Sequence, residues 1–299
     1  MKKVLFIITI AIAFFAIIAG VTGIFYEGKG LFNAYENNYE YTSIRGNTVN
    51  IYAKGLYHHM SAEVAIQGIA QDYITVFIAI PLLLIFLCMY RKKTMIALFL
   101  LSGTLLYFLV TYLFYTAMGM YSFMFLVHVI LLSLSFFAFT IALILLFRTI
   151  PEYHFSKDTP TKFVGWFLML NAFSIAVLWL EIIISPFFKG EIYPVNLEHY
   201  TTLIVQGFDL ALLLPTAFVS GFLLVKNNYY GYIFSTVYVI FLSFMMTSLV
   251  AKIIAMAINN VNVIPVIFII PTFSIVAILC SCFMLKNLKH TKTSLSTKS

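Results

Sequence analysis

The chain is dominated by apolar runs of about 20 residues, the length at which a helix crosses the hydrocarbon of a bilayer. Eight such runs occupy Val4–Ile24, Ala65–Tyr90, Thr94–Ala117, Tyr121–Phe147, Phe163–Phe188, Thr201–Val225, Tyr230–Ile258 and Val263–Leu285. Of 299 residues, 62% are hydrophobic and 10% charged, where soluble domains carry roughly 25% charged residues. A soluble core cannot hide that much apolar surface. No period-2 alternation marks the runs, so a barrel is excluded and the spans must be helices that satisfy their own backbone. The predicted fold class is all-α: a polytopic transmembrane helical bundle of eight spans.

Charge then orients the bundle. The formal charge of +7 invites a nucleic-acid partner, but the charges sit in short loops, where they orient spans instead. Lys2–Lys3, Arg91–Lys93, Arg148–Lys162, Lys226 and the tail from Lys286 hold thirteen of the basic residues, and the opposite ends hold Lys29, Arg45, Lys54 and Lys189. This bias predicts both termini in the cytoplasm of a cell-membrane protein. Lys2–Lys3 before an apolar run also describes a signal peptide. The run exceeds the usual h-region of roughly 7–15 residues, which favours an uncleaved first span; cleavage would leave seven. Cys88, Cys280 and Cys282 lie at the inner ends of spans, so no disulfide is expected. Cys280 and Cys282, two apart on a helix, diverge and make poor partners for a metal.

The expected organisation is a first span over residues 1–25, an extracytoplasmic cap over 26–64, a seven-helix core over 65–286, and a disordered basic tail over 287–299. In the cap, Val49–Tyr57 reads as an extended piece with a glycine turn, and Gly28–Lys29–Gly30 as a turn. His58–His59 with Glu63 resembles a fragment of a metal site, but adjacent histidines do not easily share one ion. No nucleotide-binding or nucleophilic-triad motif occurs, and no cofactor is expected. Spans two and six look alike: Gln67 to Asp72 precedes Pro81 and Arg91, and Gln206 to Asp209 precedes Pro215 and Lys226. A repeat and a shared insertion constraint both explain this.

Charged residues inside the spans carry the functional argument. Span six holds Thr202, Gln206, Asp209, Thr216 and Ser220 at helical spacing, a polar stripe that lipid would not tolerate. Asp72, His128, Glu181, Asp209 and Lys252 all fall on the order of 10 Å below the outer surface at 1.5 Å per residue. Such groups gather and pair because a lone buried charge costs several kcal/mol. Lys252 is the one permanent cation for three carboxylates. The excess negative charge calls for a proton or a cationic ligand. Asn171, Ser174, Glu181 and Ser185 on span five, Ser248 on span seven, and Thr104, Tyr107, Thr111 and Tyr115 on span three supply further polar faces. The bland reading of each charge is an ion pair that fixes helix packing, and of His128 a hydrogen-bonded core histidine.

Thr111–Gly119 with the following Phe125–Val129, Gln206–Pro215 through Gly231–Tyr232, Gly55–Tyr57 and Gln67–Asp72 resemble a group of prokaryotic polytopic membrane proteins to which no activity is assigned. The resemblance implies a shared fold and draws attention to Asp72 and Asp209; it implies no reaction. The expected function is a pocket open to the outside that takes a cation, a proton or a small polar solute, as in a transporter. Asp72, Glu181, Asp209, Lys252, His128 and Gln206 would line it, and the lipid bilayer is the one certain partner. Two rivals stand beside it: an intramembrane enzyme with Asp209 or Glu181 as general acid–base and His128 as partner, and a non-catalytic sensor or assembly module docking through its cap.

Overall fold

The computed structural model describes residues 1–26, 38–92 and 94–291. Eight helices in it are long and apolar enough to cross a membrane: α1 (Lys2–Phe25), α2 (Ala62–Arg91), α3 (Met95–Met118), α4 (Phe125–Thr149), α5 (Thr161–Phe188), α6 (Ile204–Val225), α7 (Tyr229–Ile258) and α8 (Val266–Lys286). Four starts shift by three or four residues from the apolar runs, those of α2, α4, α6 and α8. Extended Ser61 lets α2 begin at Ala62, with Glu63 in its first turn, where a negative charge suits the helix dipole. The α4 helix waits until Phe125, because residues 121–124 form the turn out of α3. At the head of α7 the Asn228 side chain accepts a hydrogen bond from Tyr230 N at 2.9 Å, an N-cap of the preferred type.

The bundle is organised around α3 and α7. Of the most apolar 18-residue window, 72% is buried in α3 and 50% in α7, against 22–39% in the other six. The two helices pack on one another. A Cβ on Gly103 of α3 would lie 2.4 Å from Ile240 of α7, so close contact requires glycine there. A similar approach joins α5 to α6, where a Cβ on Gly221 would lie 2.5 Å from the Gly165 carbonyl oxygen.

The likeness of α2 and α6 extends into their backbones. Each widens to a π turn, over Thr75–Ala79 and over Asp209–Leu213. Ile80 N bonds Thr75 O, and Leu214 N bonds Asp209 O. Each widened segment is followed, two residues on, by a proline, Pro81 or Pro215. A proline lacks the N–H and crowds the preceding turn, and a wider turn absorbs both defects. In this register Thr75 corresponds to Asp209 and Asp72 to Gln206, so the two carboxylates do not occupy equivalent positions.

The extra residue in the π turn also shifts the helix phase. The sequence stripe on α6 breaks: Ser220 is buried, Gln206 and Asp209 are half-buried, Thr216 beyond the π turn is exposed, and Thr202 is exposed ahead of the helix. Thr216 bonds its own backbone at Leu212 O.

A short antiparallel hairpin, β1 (Tyr39–Thr42) and β2 (Thr48–Ile51), covers one end of the bundle. Gly46 turns it with φ +84°, a conformation that suits glycine. Below it Tyr52, Leu56, Tyr57 and Met60 pack on Ile66 and Ile69 of α2. The Gly28–Gly30 turn lies outside the described residues. At the opposite end, β3 (Tyr153–Phe155) pairs with β4 (Leu288–His290). The start of the tail is thus a strand and not disordered. Leu288 is buried, Ser156 N bonds Asn287 O at 2.8 Å, and the rings of Tyr153 and His290 stand 4.9 Å apart. Residues 292–299 lie outside the described residues.

Gly221→Ala is expected to destabilise the bundle by about 1–3 kcal/mol, the usual cost of overpacking. Gly207→Ala is the control, because nothing lies within 4 Å of its would-be Cβ. Thermal unfolding in detergent should show a lower midpoint for the first variant alone.

Candidate functional site

Asp72 sits ten residues into α2 and is 2% exposed. Its Oδ2 accepts a hydrogen bond from the hydroxyl of Tyr57, delivered from the loop under the hairpin. Its Oδ1 accepts from Tyr115 OH of α3 at 3.1 Å. The two phenol oxygens are 3.2 Å apart, and Tyr115 OH also lies 3.1 Å from Gly68 O. The α1 backbone closes the remaining side: a Cβ on Gly23 would lie 1.8 Å from Asp72 Oδ2, and one on Gly68 would strike the Tyr57 ring at 2.5 Å. Burial, and then the Asp72 carboxylate, push the Tyr57 phenol well above its ordinary range, so it remains a donor.

Counting protons shows what this cluster can do. With Asp72 ionised, Tyr57 donates to Oδ2 and Tyr115 to Oδ1. With Asp72 protonated on Oδ1, Asp72 donates to Tyr115, and Tyr115 donates to Gly68 O. The same heavy atoms satisfy both states.

Beside it, a neutral network joins α2, α3 and α7. Gln71 Nε2 donates to Tyr107 OH at 2.8 Å and to Thr111 Oγ1 at 3.3 Å. Tyr107 OH meets Thr75 Oγ1 at 2.9 Å and Ser248 Oγ at 3.2 Å. Gln71 Oε1 is buried without a partner among the described residues. Thr104, grouped with this face in the sequence, bonds its own backbone at Leu100 O.

His128 of α4 is buried against the outside of the Asp72 cluster. Its ring stacks on Tyr112 at 6.1 Å and meets Tyr115 edge-on at 5.4 Å. Its Nε2 is buried without a partner among the described residues.

The second carboxylate has a different setting. Asp209, first residue of the π turn in α6, is half-buried, and its Oδ2 accepts from Trp179 Nε1 of α5 at 2.8 Å. One turn earlier, Gln206 is half-buried, and the Phe208 ring meets Phe114 of α3 at 5.9 Å. Tyr238 of α7 donates to Leu213 O at 2.9 Å, bracing the widened turn.

Lys252 of α7, one turn beyond Ser248, interacts electrostatically with both Asp209 and Asp72. Among the described residues no carboxylate comes within the 4.0 Å of a direct ion pair. The expected ring of five charges therefore becomes two centres that share a lysine. Glu181 does not join them: it is exposed on α5, as is Ser174, while Asn171 is buried. The α5 stripe fails because its middle faces away from the bundle.

Tyr57, Trp179, Gly23 and Gly68 escaped the sequence argument. Tyr57 lies 15 residues before the carboxylate it serves. No helical spacing joins them, and the Gly55–Tyr57 resemblance alone pointed there.

The cap is fastened by two loops. Arg45 Nη1 donates to Glu198 O at 3.2 Å, His199 Nε2–H to His59 O at 3.0 Å, and Ser61 N to Tyr200 OH at 3.1 Å. The two accepting carbonyls belong to residues with left-handed backbones, His59 at φ +72° and Glu198 at φ +48°, conformations held by their surroundings. Burial, aided by the Glu63 carboxylate, raises Glu198 above the usual carboxylate range. Burial lowers the His199 imidazole, opposed by its bond to His59 O.

In comparisons with family models, curated proteins and solved structures, nothing matches the chain.

Two outcomes are expected. Tyr57→Phe removes a donor to a buried carboxyl and should cost about 1.5–3 kcal/mol. A cycle with Asp72→Asn, read by unfolding in detergent, should give a coupling above about 0.5 kcal/mol. Glu198 has a raised folded value, so its contribution is fully present below the usual carboxylate range and is lost as pH rises from there through that raised value. The melting temperature of Glu198→Gln minus that of the parent should therefore grow as pH rises. The His199 contribution, lost as pH falls, is common to both proteins and cancels.

Proposed function

We propose that the chain is a multi-pass plasma-membrane protein that binds or passes a proton, cation or small polar solute, through Asp209, Lys252 and Asp72. The observation that carries this reading is that Asp72 is buried and Asp209 and Lys252 half-buried within the spans, with no ion pair closing among the described residues. Ionisable groups at membrane depth are expensive, and where they are kept apart their unspent charge is available to a ligand. The Asp72 cluster adds a group that gains or loses a proton without rearrangement. Gln206 lies on the approach to Asp209, and His128 lies behind Tyr115, where it tunes the Asp72 cluster. Glu181, exposed on α5, has no part in this reading. The thirteen-to-four distribution of basic residues supports cytoplasmic termini and an external cap.

One observation favours a second reading for Asp72 alone. Its enclosure by Tyr57, Tyr115 and Gly23 suits a structural clasp between cap and bundle, the role of a non-catalytic module.

Proteoliposomes holding a pH indicator, under an imposed potassium diffusion potential, test both. The parent is expected to acidify its lumen. Asp209→Asn should slow this by about tenfold or more, equivalent to about 1.4 kcal/mol. Asp72→Asn should do the same if it relays protons, and should lower only the melting temperature if it is a clasp. Unchanged flux in both variants would sink the proton reading.

A further inference from the structure

We infer that the outer half of α6 is a gate, which pivots on the π turn Asp209–Leu213 and is held shut by the strap of residues 195–200. The inference rests on the reading of Asp209 as a binding group and names the movement that uncovers it.

The two look-alike helices are packed differently. In α2 the half before its π turn is fixed, with seven residues between Ala62 and Asp72 buried. In α6 the corresponding half, Ile204–Phe208, and the π turn Asp209–Leu213 are described throughout and hold no buried residue. A Cβ on Gly207 would meet nothing within 4 Å. Past the turn α6 is tight again. Leu214, Ala217, Ser220, Gly221 and Leu224 are buried, Ser235 Oγ donates to Ser220 O at 2.8 Å, and Gly221 abuts Gly165. A helix seated at one end and loose at the other moves where its ladder is weakest. In α6 that place is the widened turn, followed by a proline that donates no backbone hydrogen bond. Tyr238 braces its inner edge at Leu213 O, so the pivot lies between Asp209 and Leu213.

Few contacts hold the loose half. Trp179 Nε1 reaches Asp209 Oδ2, and the Phe208 ring leans on Phe114. The strap does the rest, tying the start of α6 to the start of α2. Glu198 O accepts from Arg45, His199 donates to His59 O, its ring meets Tyr41 at 6.1 Å, and Tyr200 OH accepts from Ser61 N. The latched form carries its own local costs. His59 and Glu198 are held in left-handed backbones, and Ser61 Oγ and His199 Nδ1 are sealed without a partner among the described residues. Lifting the strap relieves all four, which narrows the gap between latched and lifted forms. Asp209 begins the pivot and is bonded to another helix, so the swing changes its surroundings while Asp72 stays enclosed in α2.

Spin-label distances in the full chain in nanodiscs test this. Cys88, Cys280 and Cys282 are first replaced by Ser. Tyr121→Cys, exposed in the turn after α3, is the fixed reference. It is paired in turn with Gly207→Cys in the loose half, Phe222→Cys past the pivot and Glu63→Cys at the start of α2. Arg45→Ala with Tyr200→Phe releases the strap, and thermal melting confirms that each sample is folded. The Gly207 pair should gain a second, displaced distance whose population rises by about tenfold or more on release, the scale of two lost hydrogen bonds. The Phe222 and Glu63 pairs should keep their parent distances. A Gly207 distance unchanged by release in a folded sample overturns the inference, as a helix seated in lipid along its whole length requires. An equal change in the Phe222 or Glu63 pair also overturns it, because no pivot then lies at Asp209. Flux indifferent to Asp209→Asn, with the Gly207 distance still shifting, would remove the binding reading and leave the pivot standing.

Discussion

A carboxyl group surrounded by helices that face hydrocarbon has no water to fall back on, and much of this structure is arranged around supplying what water would have given. Asp72 takes two phenols from different parts of the chain. To deliver one of them, the loop beneath the hairpin must dip into the bundle, and Gly68 must leave room for the ring. To close the far side, α1 must present bare backbone at Gly23. The position of the cap, the contact of α1 with α2 and the seating of α3 are thus tied to one side chain.

Asp209 shows the opposite solution. It keeps one donor, Trp179, and remains half-exposed at the start of a widened turn. Asp72 is enclosed like a structural group, and Asp209 is left open like a binding group. Lys252 stands where it interacts with both and pairs with neither.

Much of this was legible beforehand. Apolar runs of span length located all eight helices, because a helix in hydrocarbon has no other way to satisfy its backbone. The depth argument selected Asp72, Asp209, His128 and Lys252, of which the fold brings Asp72 and His128 against one tyrosine, Tyr115. It failed for Glu181, because depth fixes a level along the helix and says nothing about the face. On α6 the face itself was misread after Asp209. Pro215 was visible, but the widened turn that accommodates it, and the slip in phase that follows, belong to the packed backbone. Tyr57 and Trp179 were invisible for a third reason: their partners lie 15 and 30 residues away on other segments. The strand in the tail was hidden by a basic, Ser/Thr-rich composition, and only its partner at Tyr153–Phe155 makes it a strand.

That last pairing has a consequence for biosynthesis. Its edge is closed by His154 and Thr291, in contact at 3.2 Å across 137 residues of sequence. A contact so remote has to wait for its second partner, which follows every helix in the chain. The ribosome must complete all eight helices before β4 can find β3. The β3–β4 ribbon is therefore a late fastening, and a chain stopped short of Leu288 would leave Tyr153–Phe155 as an unpaired edge.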